Sequence, residues 1–277
     1  MVTVRRDLTP ETFLQITQSW LEQHEVQNNS ILGLALALAK KPVYERPESH
    51  FWVVENNGVI SGAAFGTPPY KLTLTRMDPA SLEAFANEIR LLLPGISGAF
   101  GPKEIMPDFL KAMELPLSQF ELEMSTRLYQ LRKVEPLSPA PGALRPAVSS
   151  DLDFLAEWYT RFGIEIRATE EIDVKEMVNG YIQEKRLFIW EGDGARSSAG
   201  CAGFTANGAR INLVYTPSEH RGKGYATSLV AALSQRLLDS GKKFCCLYTD
   251  LMNPTSNSIY KKIGYQPVSD WAGYKFK

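Results

Sequence analysis

The sequence has few cysteines, no long apolar run and almost no net charge. Its three cysteines, Cys201, Cys245 and Cys246, show no metal-ligand spacing, and the last two are adjacent in an apolar stretch. We expect them to be buried as small apolar side chains in a reducing compartment. The longest apolar run, residues 31–39, is too short to span a bilayer, and the N-terminus has no apolar signal core. These absences predict a cytoplasmic protein without a metal centre and without a membrane partner.

The charge balance gives no general attraction to nucleic acid or to anionic lipid. The 30 Lys and Arg residues face 31 Asp and Glu residues, so the formal net charge is −1. With 44% hydrophobic and 22% charged residues in 277, the composition is that of a globular protein of two domains or one large one. We therefore expect no nucleic-acid partner.

A proline-rich segment divides the chain near its middle. Residues 134–142 carry three prolines in a short polar run, which is typical of a semi-rigid linker. We place the domain boundary there, with a first domain at 1–133, a linker at 134–143 and a second domain at 144–277.

The first half alternates helix and strand patterns. Thr9 and Pro10 form a helix start, and Asn56-Asn57-Gly58 is a hairpin turn signal. The pattern predicts helices over 10–24, 32–39, 79–93 and 107–114, and strands over 50–55, 59–65, 72–75 and 121–131. The stretch Gly95 to Gly101 is rich in glycine but has no basic residue beside its glycines.

The second half repeats part of this pattern. Strands are predicted over 144–147, 186–191 and 198–205, and helices from Ser150-Asp151 and over about 170–184. FWVVENNG in the first half and LFIWEGDG in the second share an aromatic–aliphatic strand, a glutamate and a glycine turn. Because both halves also place two helices before this hairpin, we interpret the chain as two copies of one unit.

A glycine-rich loop with basic residues occurs in the second half alone. Arg221-Gly222-Lys223-Gly224-Tyr225-Ala226 lies between a predicted strand at 211–215 and a predicted helix at 226–239. Such a loop presents unpaired backbone N–H groups at the positive end of a helix, which suits a phosphate. The spacing fits neither a Walker loop nor a dinucleotide fingerprint, so the residues by themselves leave the ligand open.

The segment after this loop completes a β–loop–α–β unit. Residues 243–249 predict a buried strand, parallel to or splayed from the strand before the loop. Asn253-Pro254 opens a short helix that bears Tyr260 and ends at Gly264, and a final strand is predicted over 271–276.

Two sequence blocks resemble the GNAT superfamily of acyl-CoA-dependent N-acetyltransferases. Arg221, Gly224 and Ala226 match its R/Q-x-x-G-x-G/A signature. The pattern N-x-x-S-x-x-x-Y-x-x-x-G-Y, from Asn253 to Tyr265, is similar to its second block, which usually ends in Gly-Phe. The resemblance covers about 144–277, and the first half looks like a degenerate copy. It implies an α/β fold with a mixed sheet and two GNAT-like domains, as in tandem GNAT proteins.

The resemblance also implies acetyl-CoA as co-substrate and one active site per chain. It assigns acetyl-CoA binding to backbone groups of the strand end and the loop and to the Asn253 side chain: Val214, Tyr215, Thr216, Arg221, Gly222, Lys223, Gly224, Tyr225, Ala226 and Asn253. Tyr260 would be the catalytic residue, protonating the leaving thiolate. Periodicity alone favours the alternative that Tyr260 is an aromatic residue of the helix face that packs on the sheet. The acceptor would be an amine of a small molecule or peptide.

Several points stay open at this stage. The base that deprotonates the amine could be Glu165, Glu191, Tyr215 or Asp250, each of which could equally be a surface or structural group. Trp158 and Phe162 fit a helix core better than an acceptor pocket. The alternatives to an acetyltransferase are an idle CoA-binding or interaction module and a transferase that uses another acyl donor.

Overall fold

The two halves of the chain have the same order of helices and strands. The structure is a computed structural model that describes residues 1–67, 71–92, 96–167 and 172–277. The first half comprises β1 (Val2–Arg5), α1 (Pro10–Glu22), α2 (Asn29–Ala39), β2 (His50–Asn56), β3 (Val59–Gly66), β4 (Leu72–Leu74), α3 (Pro79–Leu91), β5 (Gly98–Pro102), α4 (Met106–Ala112) and β6 (Phe120–Leu131). The second comprises β7 (Ala143–Pro146), α5 (Leu152–Glu165), α6 (Val174–Gln183), β8 (Leu187–Gly192), β9 (Gly194–Ala202), β10 (Gly208–Tyr215), α7 (Tyr225–Asp239), β11 (Phe244–Asp250), α8 (Pro254–Ile263) and β12 (Gln266–Phe276). This repeated order agrees with the interpretation of two copies of one unit.

All of these strands belong to one mixed sheet in which the halves exchange their last strands. The order is β1-β2-β3-β4-β5-β12-β6-β11-β10-β9-β8-β7. Strand β12 of the second half pairs with β5 of the first, and β6 of the first half pairs with β11 of the second. The two last strands also pair with each other, antiparallel. Neither half therefore has a sheet that is complete without the other, although the linker boundary itself stays a prediction.

Helices cover both faces of the sheet. Alternating residues of β2 decide this in the first half: Phe51 and Val53 pack under α1 and α2, whereas Trp52 and Val54 pack with α3 and α4. In the second half, Leu187 and Ile189 of β8 pack with α5 and α6, and the intervening Phe188 packs with α7.

The linker residues follow the surface of the second half closely. The amide of Glu135 donates to the Ile263 carbonyl at 2.9 Å, and the Trp190 indole donates to the Pro141 carbonyl at 3.1 Å. Val134 and Leu137 are partly buried against the same core. Because proline has no backbone N–H group, the linker can cross this surface without leaving hydrogen-bond donors unpaired at its prolines.

The predicted helix start at Thr9 is confirmed by its capping hydrogen bond, whereas the helix predicted from Ser150-Asp151 begins at Leu152 and has no side-chain cap. The Thr9 hydroxyl accepts from the Thr12 amide at 3.2 Å, and Pro10 is the first residue of α1. The leucines of α7 that recur every four residues, Leu229, Leu233 and Leu237, are all buried against the sheet.

Several sequence-based boundaries differ from the structure: the last strand begins at Gln266 and not at residue 271, and β9 begins at Gly194 and not at residue 198. Two further differences have tertiary reasons. The strand predicted to end at residue 205 ends at Ala202, because Gly203 adopts φ +56° and receives a hydrogen bond from the Asn29 side chain of α2. The described part of the glycine-rich stretch forms β5, where a Cβ on Gly98 would lie 2.2 Å from the Tyr274 carbonyl oxygen of β12. Three predicted boundaries lie outside the described residues: the end of the helix at residue 93, the start of the helix at residue 170, and the start of the glycine-rich stretch at Gly95.

The expected burial of the cysteines is confirmed. Cys201, Cys245 and Cys246 are free and buried, and burial raises the pKa of the first to about 11 and of the other two to about 12. They are therefore protonated, unreactive thiols at neutral pH. No helix in the described ranges is long and apolar enough to cross a membrane, and no group of three or more His, Cys, Asp and Glu residues there could hold a metal ion.

Candidate active site

The glycine-rich loop forms an exposed turn that leads directly into α7. Gly222 and Gly224 have φ of +74° and +80°, in the left-handed region that favours glycine. Gly224 is the N-cap of α7 and has no side chain that could cap the helix. The first amides of α7, from Tyr225 onward, have no intrahelical acceptor. This backbone fits a phosphate group, which these N–H groups and the helix dipole would hold.

The basic side chains of this loop are engaged with the protein. The Arg221 guanidinium donates to the Thr216 carbonyl at 2.8 Å and to both carboxylate oxygens of Glu165 at 2.6 and 2.9 Å. Lys223 Nζ donates to the Glu219 carbonyl at 3.2 Å. Arg221 therefore ties the loop to the end of α5, and the loop presents mainly backbone N–H groups.

Strands β10 and β11 separate next to this loop. They are parallel neighbours only from Gly208 to Arg210, although β10 continues to Tyr215. Val214, Tyr215 and Thr216 therefore form no β-ladder with β11, although the carbonyls of Tyr215 and Thr216 accept hydrogen bonds from the Ser197 and Arg221 side chains. A pantetheine arm could lie along this edge of β10 and accept hydrogen bonds from it.

A bulge shapes β10 at the start of this opening. The register against β9 shifts between Asn212 and Tyr215, and Leu213 has φ +52°, which is unusual for a residue with a side chain. Tyr159 of α5 donates through its hydroxyl to the Leu213 carbonyl at 2.9 Å, which fixes this conformation. Strained bulges of this kind concentrate at functional sites.

The second sequence block forms α8, with Asn253 at its start. The Asn253 side-chain oxygen accepts from the Ser256 amide at 3.0 Å. Asn253 therefore caps the helix that the sequence predicts to begin at Asn253-Pro254. Its predicted contact with pantetheine would have to use the side-chain amide group. That contact stays a prediction.

Tyr260 lies on the buried face of α8 between two other tyrosines. Its ring centroid is 6.4 Å from that of Tyr129 and 6.0 Å from that of Tyr265. Burial raises the pKa of Tyr260 above its ordinary value. Within the described residues its hydroxyl has no hydrogen-bond partner, so the phenol holds a proton that no protein group shares.

A cleft of about 1570 Å³ runs between the halves and reaches the β10 bulge. Helix α2 of the first half forms one wall, and α5 and α6 form the opposite wall. Arg210, Asn212 and Leu213 of β10 lie on its floor. The cleft is therefore the natural approach for a second substrate toward the opening between β10 and β11.

Contacts between the halves hold the α2 wall in place. Asn207, in the turn before β10, donates from its amide and its side chain to Glu25 at 2.9 and 2.8 Å. Asn29 donates to the Gly203 carbonyl at 2.7 Å. A Cβ on Gly33 would come within 2.5 Å of the Gly203 Cα, so the two backbones pack directly against each other. No local sequence pattern predicts this wall, since its contacts join residues far apart in the chain.

The cleft does not identify the base. Within the described residues, none of Glu165, Glu191, Tyr215 and Asp250 lines it. Glu165 binds Arg221 and Glu191 binds Arg145, as structural carboxylates do. Phe162 lines the cleft, whereas Trp158 is buried in the core under α5.

The corresponding position of the first half contains a carboxylate. There, α3 begins at Pro79, which has no N–H group, and Asp78 caps it by accepting from the Ser81 amide at 3.0 Å. Burial acts to raise the pKa of Asp78, but the hydrogen bonds from Ser81 and Asn56 outweigh it and lower the pKa. A negative charge at this helix start repels a phosphate, which agrees with a degenerate first copy.

Part of the sequence matches a protein-family model, and the fold matches solved structures. Residues 192–272 match the family model of FR47-like proteins. Solved structures that align with 99% of the chain include a GNAT-family acetyltransferase from Colwellia psychrerythraea (12% identity, all of that chain covered, TM-score 0.62). A Drosophila protein (11%, 98% of that chain, TM-score 0.70) and a tandem GNAT protein of the clavulanic acid biosynthesis pathway (14%, 98% of that chain, TM-score 0.61) align over the same share. No curated protein gave a significant match.

The chain therefore has the GNAT acetyltransferase fold in its tandem form, over its whole length. The prediction of an α/β fold with two GNAT-like units is confirmed. The family-model match lies in the second half, which also contains the glycine-rich loop and the α8 block.

Proposed function

We propose that this protein is an acetyl-CoA-dependent N-acetyltransferase with one active site per chain. The second half binds acetyl-CoA along β10 and the loop from Arg221 to Ala226. The acceptor amine enters through the cleft between the halves. The observation that supports the proposal is the succession of three features along one segment: β10 lines the cleft at the Leu213 bulge, it has no ladder with β11 beyond Arg210, and the uncapped start of α7 follows it in the chain.

The residues present fit the chemistry of acyl transfer from a thioester. Acetyl-CoA supplies a carbonyl carbon that the neutral amine attacks, and its C–S bond breaks with a thiolate as leaving group. Backbone N–H groups of β10 at and beyond the bulge stabilise the oxyanion. Tyr260 gives its proton to the thiolate, and holding amine and thioester together in the cleft supplies much of the acceleration.

The test combines binding and turnover. We expect calorimetry to give one acetyl-CoA per chain, and thiol release to accompany acetylation of a member of an amine panel. Tyr260→Phe removes the hydroxyl but keeps the ring, so we expect the turnover number to fall by about 10²-fold or more with acetyl-CoA affinity unchanged.

Each other outcome has a defined meaning. Unchanged turnover in Tyr260→Phe would exclude the tyrosine as proton donor. Binding of CoA without acylation of any amine would favour an idle CoA-binding module. Tighter binding of longer-chain thioesters than of acetyl-CoA would indicate a different acyl donor, and two bound CoA molecules would contradict the degenerate first copy.

A further inference from the structure

The cleft floor bears a guanidinium group, that of Arg210, which forms no ion pair with the described residues. Building on the proposed function, we propose that the acceptor amine belongs to a molecule that also carries an anionic group, a carboxylate or phosphate, and that Arg210 binds this group. The proposal names the substrate class of the same site.

Arg210 is half-buried, and its one hydrogen bond in the described part of the chain is to the Ser30 hydroxyl of α2. No carboxylate within the described ranges lies within ion-pair distance of it. Two other guanidinium groups of the second half line the cleft. Arg186 pairs with Glu184 at 2.6 Å and stacks on Tyr181, whereas Arg167 is exposed to solvent and Arg210 is half-buried. A partly desolvated charge without a counter-charge is costly, and an anionic ligand would offset that cost.

The strand geometry places this charge near the reaction. Arg210 and Asn212 line the cleft, whereas the intervening Ile211 packs on the other face in the α7 core. Two residues of a strand span about 7 Å, so Arg210 lies roughly that far from the start of the Leu213 bulge. A molecule with its amine at the bulge could therefore reach Arg210 with an anionic group a few bonds away.

Large apolar side chains within an otherwise mixed lining indicate an apolar body for this molecule. Leu34, Phe65, Phe162, Met177 and Phe204 line the same cleft. They come from α2 and β3 in the first half and from α5, α6 and the turn after β9 in the second. An aliphatic or aromatic chain between amine and anion would bury its surface against them.

The experiment compares pairs of amines of which only one member carries the anionic group. The probes are γ-aminobutyrate, phenylalanine and phosphoethanolamine, paired with γ-aminobutyramide, phenylalaninamide and ethanolamine. We expect Arg210→Gln to lower the ratio of kcat/KM for at least one charged probe to that of its neutral partner by about tenfold or more, since hydrogen bonds between ionised groups are about twice as strong as neutral ones. Comparing variant with wild type inside each pair cancels the intrinsic reactivity of the amines. The carboxylate and phosphate arms distinguish the two anions.

Three control variants separate charge recognition from structure. Arg210→Lys keeps the charge and should retain part of the preference. Ser30→Ala removes the hydrogen bond between the halves but leaves the guanidinium, so the preference should persist. Arg186→Gln removes a guanidinium that Glu184 already neutralises and should change the ratio little. A ratio that is unchanged in Arg210→Gln, or that falls equally in Ser30→Ala, would overturn the proposal.

Binding to the CoA-loaded protein, measured by calorimetry with the same probes, keeps this test independent of turnover. If no probe is acetylated but the charged probes bind in an Arg210-dependent way, the anion site stands and the proposed acetyl transfer fails. If acetylation occurs without preference for charge, the proposed function stands and the anion site fails. If neither turnover nor binding shows a preference for the charged probes, the anion site is refuted.

Discussion

The direct backbone contact between the halves predicts opposite changes in stability for two glycine-to-alanine substitutions, one at Gly33 and one at Gly180. Gly33 lies inside α2 and Gly180 inside α6. Replacing a helical glycine by alanine stabilises a helix by about 1 kcal/mol in the absence of steric conflict. A Cβ at Gly180 meets nothing within 4 Å, whereas a Cβ at Gly33 would lie 2.5 Å from the Cα and 2.8 Å from the carbonyl carbon of Gly203.

The expected magnitudes follow from these distances. Gly180→Ala should raise the free energy of unfolding by up to about 1 kcal/mol. Gly33→Ala gains the same helix propensity but must displace backbone, and overpacking of this kind costs about 1–3 kcal/mol. The difference between the two variants should therefore be about 1–3 kcal/mol, with Gly33→Ala the less stable.

Urea denaturation of both variants beside the wild type measures this difference. Because α2 is a wall of the cleft, Gly33→Ala should also raise the KM for an acceptor amine while leaving acetyl-CoA affinity unchanged. If Gly33→Ala stabilises the protein as much as Gly180→Ala does, α2 does not pack closely on Gly203. The description of the cleft between the halves would then be wrong as well.

Two further predictions concern carboxylates. Burial acts to raise the pKa of Glu25, but its hydrogen bonds from Thr205 and Asn207 outweigh that effect and hold the pKa below 4.5; Glu25→Gln should therefore be less stable than the wild type above this pH, and the gap measured by urea denaturation should shrink as the pH falls through the lowered pKa. A gap that stays constant with pH would exclude a role for the charge. Glu165→Gln breaks an ion pair whose members are 43% and 48% exposed, so the stability loss should stay below about 1 kcal/mol. Since Glu165 does not line the cleft, turnover should change less than about tenfold, whereas loss of a general base would cost 10²–10⁴-fold.

The local features of the candidate site could be predicted from the sequence. Glycines at 222 and 224 are required by positive φ, and Pro254 after Asn253 marks a capped helix start. Turn chemistry and the spacing of leucines in α7 are properties of short segments, so they can be seen without the fold. The similarity between FWVVENNG and LFIWEGDG, together with the two helices predicted before each hairpin, indicated the repeat.

The tertiary structure alone decided how these parts meet. Local sequence patterns do not predict three features of the structure: the exchange of β6 and β12, the left-handed conformation of Leu213, and the ion pair between Arg221 and Glu165. The cleft depends on contacts such as Asn29 to Gly203, which are 174 residues apart. Local sequence determines which segments turn, cap and form helices, because those preferences arise within a few residues. Which surfaces face each other across the sheet depends on the packing of the whole chain, and that packing placed Arg210 and α2 beside the bulge.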